Sequence, residues 1–422
     1  MFWIEDARRA PDTRRVDVVD GIRVLAIGIV AWFHIWQQSW LFPTFTVFGQ
    51  WINLDPLVRS GYMWVDLMIL VSGFCLYLPW ARLEADSPLP DPMGFYRRRL
   101  ARILPSYLFT LAVMLCVALA RGSYATPEDG ALDVLTHLTF TEIYFYKTYY
   151  ATNLNASLWT LAVLMQFYLL FPLLARGMRR WPLVIFALMM ATGLGVRAVL
   201  EAAFEDPSLY FNHLGAYMDT FALGMGAAWL HVRLCRLPHG ILQRLLCSLL
   251  AVLAFWQLLL VAARQSASPD VTAIRIGQMH NRLSMGVFGA LLLLGSAHGG
   301  WFLRHLLANP LTRFLSGISM QFYIWHQVLA VWIRELRIIP SEYENPNYSG
   351  DLRWQIAYTA ACVTAGIAVA CLVTFLIERP AARALLRTGS REKASAKPET
   401  AEPACRPLQD EHSREQSGGD AQ

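Results

Sequence analysis

VDVVDGIRVLAIGIVAWFHIW, residues 16–36, sets Arg23 and His34 at the two ends of ten residues that carry no charge. An apolar run here, near 19–37, has the length of about 20 residues that a helix needs to cross a bilayer. Nine more such runs fall near 60–80, 103–121, 158–176, 182–200, 214–232, 243–263, 282–300, 314–334 and 355–377. In hydrocarbon every backbone polar group must be satisfied within the segment, so runs this long and apolar read as helices rather than barrel strands.

Composition agrees. The chain has 422 residues, 55% hydrophobic and only 16% charged, where a soluble domain carries about 25% charged residues. The 15 tryptophans and 16 tyrosines suit a protein with two membrane interfaces. The net charge of +5 does not point to nucleic acid, because the arginines sit at the ends of apolar runs. Sorted by alternate connections, Arg and Lys number 22 on one side and 6 on the other. A miscounted span would scramble that ratio, so the positive-inside rule predicts ten spans with both termini cytoplasmic. The expectation is an all-α membrane domain over 1–387 and a polar, disordered cytoplasmic tail over 388–422. No cleavable leader is expected, and no soluble catalytic domain, so chemistry belongs to the membrane domain. Cys75, Cys116, Cys235, Cys247, Cys362 and Cys371 lie in or beside apolar segments and read as small core residues, not as metal ligands.

Ionisable groups inside spans are costly and face a cavity or a partner. Arg23 and His34, eleven residues apart, differ by about three turns plus 20°, so they share one helix face about 16 Å apart, with Asp20 about 40° away. Arg23 would sit near the cytoplasmic edge and His34 deeper, an anion site below a proton-handling group; the plainer reading is a membrane anchor and a helix–helix hydrogen bond. In FYRRRLARILPSY, residues 95–107, Arg98, Arg99 and Arg102 gather within one turn. Guanidiniums there can clamp phosphate or merely flank a span. Asp66, Asp219, Gln166, Tyr168, His326 and Glu378 are further polar residues in or at the edge of spans, each with structural glue as its plainer role. Ser157 reads as the N-cap of the fourth span. Tyr144, Phe145, Tyr146, Tyr149 and Tyr150 would stack on sugars or line the interface.

At these residues the chain resembles the acyltransferase-3 family of integral membrane O-acyltransferases. The opening block, the second block GYMWVDLMILVSGFCLYL, RRRLARILPSY, SLWTLAVLMQFYLLFPLL, DTFALGMGAAWL, SMQFYIWHQVL and LIERP occur in family order over residues 17–380. Many relatives carry Val-Glu-Glu-Gln where this chain has Val163-Leu164-Met165-Gln166, so both acids are absent. The resemblance implies transfer of an acyl group, usually acetyl from acetyl-CoA as co-substrate, to a hydroxyl on a glycan, glycolipid or natural-product acceptor. No permanently bound cofactor and no metal are implied. Arg98, Arg99 and Arg102 would meet the phosphates of the donor, with Arg23 beside them. His34 would act as general base or brief acyl carrier, with Asp66 and His326 orienting it or binding the acceptor. A transporter or flippase for a glycan or lipid intermediate is the alternative, and an inactive scaffold relative a further one. The expected location is a bacterial cytoplasmic membrane.

Overall fold

Ten long helices stand at the ten places that the apolar runs mark. The computed structural model describes residues 16–84, 87–237 and 240–395. The helices are α1 (Val18–Ser39), α2 (Val65–Ala81), α3 (Pro92–Ala120), α4 (Trp159–Arg180), α5 (Pro182–Ala203), α6 (Met218–Leu234), α7 (Ile241–Ser266), α8 (Val271–His298), α9 (Pro310–Glu335) and α10 (Leu352–Val373). A wide π turn, Thr374–Glu378, joins α10 to a last helix, Arg379–Ser395. The rest of the expected tail, 396–422, lies outside the described residues. Among the described residues the strands are confined to one short antiparallel hairpin after α1, Thr44–Val47 with Gln50–Asn53, which the sequence analysis did not foresee. Its turn residues Phe48 and Gly49 both have positive φ, 48° and 76°, the geometry of a tight two-residue hairpin turn.

Seven helical segments are long and apolar enough to cross a membrane on their own. An eighth does so if α8 is joined to Trp301–Leu307, to which it is bent by 115°. The chain is a multi-pass membrane protein. The other two expected spans, α6 and α9, form helices of lower apolarity, because their polar side chains face protein. In α6, Asp219, Thr220 and His231 are buried; in α9, Ser316, Gln321 and His326 are.

Two glycines fix how closely α2 and α6 approach. A Cβ on Gly73 would lie 2.5 Å from the carbonyl oxygen of Phe221, and one on Gly224 would strike the carbonyl of Leu70. Small residues that let backbones meet are the usual currency of helix packing in lipid. These are the glycines of the Ser-Gly-Phe and Phe-x-x-Gly blocks.

The helix ends sort as alternation requires. The start of α1 (Asp17), the ends of α2 (Arg82), α6 (Cys235) and α8 (His298), and the start of α9 (Asn309) border one cavity. Beside it, Arg176, Arg179 and Arg180 in the last turns of α4 share a cavity with Arg233 and Arg236 at the end of α6. At the opposite end, Gln355 in α10 donates to the carbonyl of Trp40 after α1 (3.2 Å), and Arg121 pairs with Glu335 (3.0 Å).

Residues 122–157, which connect α3 to α4, do not project as an open loop. They fold back against the bundle. Tyr107, thirteen residues before the end of α3 and so about 20 Å along it, donates to the carbonyl of His137 (2.8 Å). Cys116 and Cys235 are exposed rather than core residues, Cys362 is buried, and the described cysteines are all free.

Candidate active site

The α1 face read from the sequence runs along α9. Near the start of α1, the Ser316 hydroxyl donates to Asp20 (2.7 Å) and accepts from Arg23 Nη1 (3.2 Å). Arg23 Nη2 also reaches Cys75 Sγ on α2 (3.5 Å). Eleven residues on, the ring of His34 lies 5.2 Å, centroid to centroid, from that of His326. Asp20 and Arg23 thus meet residue 316 while His34 meets residue 326, so α1 and α9 run parallel.

The two histidines are oriented differently. His326 is 1% exposed and its Nδ1 donates to the carbonyl of Tyr323 (2.6 Å). A carbonyl cannot donate, so Nδ1 holds the proton and Nε2 is the basic nitrogen of the neutral ring; that Nε2 is buried with no hydrogen-bond partner. His34 is half-buried, and its Nδ1 meets Gln37 Oε1 (3.0 Å). With that amide oxygen as acceptor, the His34 Nε2 lone pair is the one available for proton transfer. Gln37, one turn after His34, is a positioning residue that the sequence analysis did not single out.

The arginine cluster occupies the first turns of α3, where Asp91 accepts from the backbone N–H groups of Met93 and Gly94 (3.0 Å each) and Pro92 stands at the first helical position. The cluster then divides. Arg23, Arg99 and Arg102 line a cavity of about 140 Å³ with Tyr168, Thr160 and Tyr323. Arg98 is exposed and is not among its lining residues. The Arg99 guanidinium lies over the rings of Phe95 (5.6 Å) and Tyr168 (5.8 Å), which positions it by cation–π attraction. Leu164 is on the same wall, which is apolar at that position. Tyr323 links the two halves of the site. It borders the cavity, and its ring lies 5.4 Å from that of His326.

The remaining sequence candidates are placed elsewhere. Glu378 accepts from Gln321 Nε2 (2.9 Å) and sits within electrostatic reach of Arg102. Gln166 ties the folded-back segment to α4, donating to the carbonyl of Phe140 (2.9 Å) and accepting from Tyr144 (3.0 Å). Asp66 does not reach His34; it faces Arg282 Nε at 3.4 Å. Asp219 holds Arg197 through two hydrogen bonds of 2.8 and 2.6 Å. Arg282 and Arg197 are buried and were passed over as span residues. An ionisable residue within an apolar run is the signal that would have found them. Ser157 is not the cap of α4. It donates to Gln327 (2.8 Å), and Asn155 receives the Ser157 N–H instead (2.9 Å). In the aromatic run, Tyr149 is buried against Asn212 (2.8 Å), while Tyr144, Phe145, Tyr146 and Tyr150 remain exposed.

The folded-back segment carries its own buried acid. Glu142 is 1% exposed, and neither carboxyl oxygen has a hydrogen-bond partner. Burial pushes its pKa up to about 7, opposed by the nearby His137. His137 is held above its usual range by Asp133 and Glu142, against the effect of burial.

Comparison with known proteins gives this geometry a family. "Putative peptidoglycan O-acetyltransferase YrhL" of Bacillus subtilis (strain 168) is 24% identical over 338 residues, 75% of this chain and 49% of that protein. "O-acetyltransferase OatA" of Staphylococcus aureus (strain NCTC 8325 / PS 47) is 24% identical over 221 residues, 49% of this chain and 33% of the relative. The chain therefore spans about half the length, or less, of the curated relatives it matches. No solved structure matches it. The family model described as an acyltransferase domain matches residues 16–377, from just before α1 into the π turn after α10. With its ordered blocks interlocked in a single helical bundle, the chain belongs to the acyltransferase-3 family.

Proposed function

We propose that this protein moves an acyl group, most simply acetyl, from an acyl-CoA on the arginine-rich side to a hydroxyl of a glycan or related acceptor at the opposite side of a bacterial cytoplasmic membrane. The observation that carries the reading is the order of groups along α1 and α9. Arg23, Arg99 and Arg102 border a cavity, Tyr323 stands on that cavity's wall, and His326 and His34 follow within ring contact of one another. Guanidiniums suit the several phosphates of CoA, and the arginine-rich end is the cytoplasmic one by the positive-inside rule.

In this reading His34 Nε2 removes the proton from the acceptor hydroxyl as its oxygen attacks the thioester carbonyl. The C–S bond then breaks, and the CoA thiolate leaves with the proton returned by the His34 imidazolium. Gln37 keeps the required tautomer of His34. His326 offers a second unprotonated Nε2 close by, suited to receiving a hydrogen bond from the acceptor. Peptidoglycan, named for one relative, is an acceptor of the proposed class, alongside other cell-envelope glycans.

The test compares the O-acyl content of surface glycans, by mass spectrometry, in cells with the native gene, a deletion, and His34→Ala present at native membrane level. The expected result is loss of one acyl group in both altered strains. Acyl groups retained in His34→Ala but lost on deletion would remove His34 from the chemistry. Unchanged acylation with altered glycan amount or location would instead establish the transport reading.

A further inference from the structure

At the arginine-rich end, away from the proposed acyl-transfer path, the C-terminal ends of α6 and α8 bring three metal-ligating side chains together. His231 and Cys235 are four residues apart, one helical turn, so they project from the same face. His298 is the last residue of α8. His231 Nδ1 lies 3.0 Å from His298 Nε2, and Cys235 Sγ lies 3.6 Å from His231 Nε2. One ligand atom from each of the three falls within 4.8 Å of the others. The two contacts use different nitrogens of His231, only one of which can bind a shared ion, so the three donor atoms stand up to 4.8 Å apart, where tetrahedral zinc, with Zn–N of about 2.0–2.1 Å and Zn–S of about 2.3 Å, needs edges of about 3.3–3.6 Å. Rotation of the exposed Cys235 side chain and of the imidazoles about their side-chain bonds closes that difference.

We propose that His231, Cys235 and His298 bind one zinc-class ion and leave its fourth position open. The three side chains line a cavity of about 520 Å³ together with Asp17, Arg82 and Arg304, so the open position faces a space large enough for a further ligand. A thiolate with two imidazoles selects zinc or copper over magnesium or calcium. His231 and His298 are buried, which fixes their positions, while Cys235 is exposed and can be reached from the cavity. As the metal–sulfur bond forms, Cys235 gives its proton to solvent, and the metal replaces the contact between the two imidazoles. The Cys235 thiolate cancels one of the ion's two charges. Arg82 and Arg304 on the same walls make an anion the matching fourth ligand, whether hydroxide, phosphate or a carboxylate. The ion would pin α6 to α8 at the arginine-rich end, as the Asp66–Arg282 pair ties α2 to α8 further along the bundle.

The site was not legible as such in the sequence, where Cys235 reads as a small core residue and no metal is expected. His231 and Cys235 alone are a common spacing. The third ligand lies 63 residues further on and arrives only by tertiary packing.

The full chain, purified in detergent and stripped with a chelator, would be titrated with Co²⁺. The expected result is a near-ultraviolet thiolate-to-cobalt band that saturates at one equivalent and is displaced by Zn²⁺. Zn²⁺ should also raise the melting temperature of the metal-free protein, since only the folded chain assembles the site. Cys235→Ser should abolish the band while matching the metal-free wild type in melting temperature. In the wild type, Zn²⁺ should shield Cys235 from alkylation, read by peptide mass spectrometry, which does not depend on any variant folding. No thiolate band, a band that survives Cys235→Ser, or alkylation of Cys235 unchanged by Zn²⁺ would each overturn the assignment.

Discussion

Two adjacent arginines on α3, about 100° apart around the helix, have different surroundings. Arg99 lies over Phe95 and Tyr168 and borders the cavity, whereas Arg98, its neighbour in sequence, is exposed outside it. If CoA phosphates bind in that cavity, Arg99→Ala removes a charge-assisted contact of about 1.5–3 kcal/mol. The KM for acyl-CoA should then rise about tenfold to a hundredfold, with KM for the acceptor unchanged. Arg98→Ala should stay within about threefold of wild type, the size of a surface effect of roughly 0.5 kcal/mol. Steady-state kinetics with varied acyl-CoA decide it, and equal effects at the two positions would detach the donor from this cavity. The α1 face was legible because helical periodicity is local: Asp20, Arg23 and His34 need only 3.6 residues per turn to be aligned. Their partners Ser316 and His326 were not assignable, nor was the pairing of Asp66 with Arg282 rather than with His34. Those contacts depend on which helices become neighbours, and no spacing within one helix encodes that.

Between helices, contact distance decides what a residue can be. Gly224 and Gly28 both sit inside helices, yet a Cβ on Gly224 strikes the Leu70 carbonyl, while nothing lies within 4 Å of one on Gly28. Gly224→Ala should therefore lower stability by about 1–3 kcal/mol or more, because a backbone carbonyl yields less than a side chain. Gly28→Ala should leave it unchanged or raise it by about 0.5–1 kcal/mol, through reduced chain entropy. Melting temperatures of the purified variants test both signs at once. The folded-back segment 122–157 makes a second prediction at this scale. Glu142 has its pKa raised from 4.5 to about 7, so the folded state prefers the neutral acid. Its contribution is fully present below pH 4.5, falls as pH rises through 7, and spans about 3 kcal/mol at 1.36 kcal/mol per unit. The neighbouring groups are His137, Asp133 and Tyr107, and His137, with its own pKa raised, changes stability in the same direction. Glu142→Gln should flatten the decline in melting temperature between pH 4.5 and 7, and an unchanged profile would remove Glu142 as its origin. The fold of this segment was not legible in the sequence, because its polar residues carry no membrane-span periodicity. Its polar residues instead satisfy one another: Tyr124, Thr152 and the Asn153 N–H all donate to the Asp133 carboxylate.

Across the whole bundle, the relative directions of helices test the ten-span expectation more sharply than apolarity does. Apolarity alone selects seven or eight segments, and passes over α6 and α9 because their polar residues are turned inward. Packing supplies the missing information. In α1 and α9, residues 20–34 climb beside 316–326. Early in α2, Asp66 faces Arg282, three turns into α8, and at the far end Arg82 shares a cavity with Cys235 and His298. Helices α2, α6 and α8 therefore run parallel. The two odd helices and the three even ones so placed run parallel within each set, and α7 runs antiparallel to α8, since Gly277 meets Gln265 while Gly295 meets Cys247. Ten crossings in strict alternation produce this pattern. At 26 residues α9 is about 39 Å long, and at 17 residues α6 is about 26 Å; both are close to the hydrocarbon thickness or beyond it. Arg236, after α6, and Ser349, between α9 and α10, are exposed and belong to opposite ends of the bundle. In chains whose native cysteines are replaced by serine, a membrane-impermeant maleimide added to intact cells should label Ser349→Cys, and should label Arg236→Cys only after permeabilisation. Labelling of both from outside, or the reverse order, would break the alternation and with it the assignment of the arginine-rich cavity to the side where acyl-CoA is made.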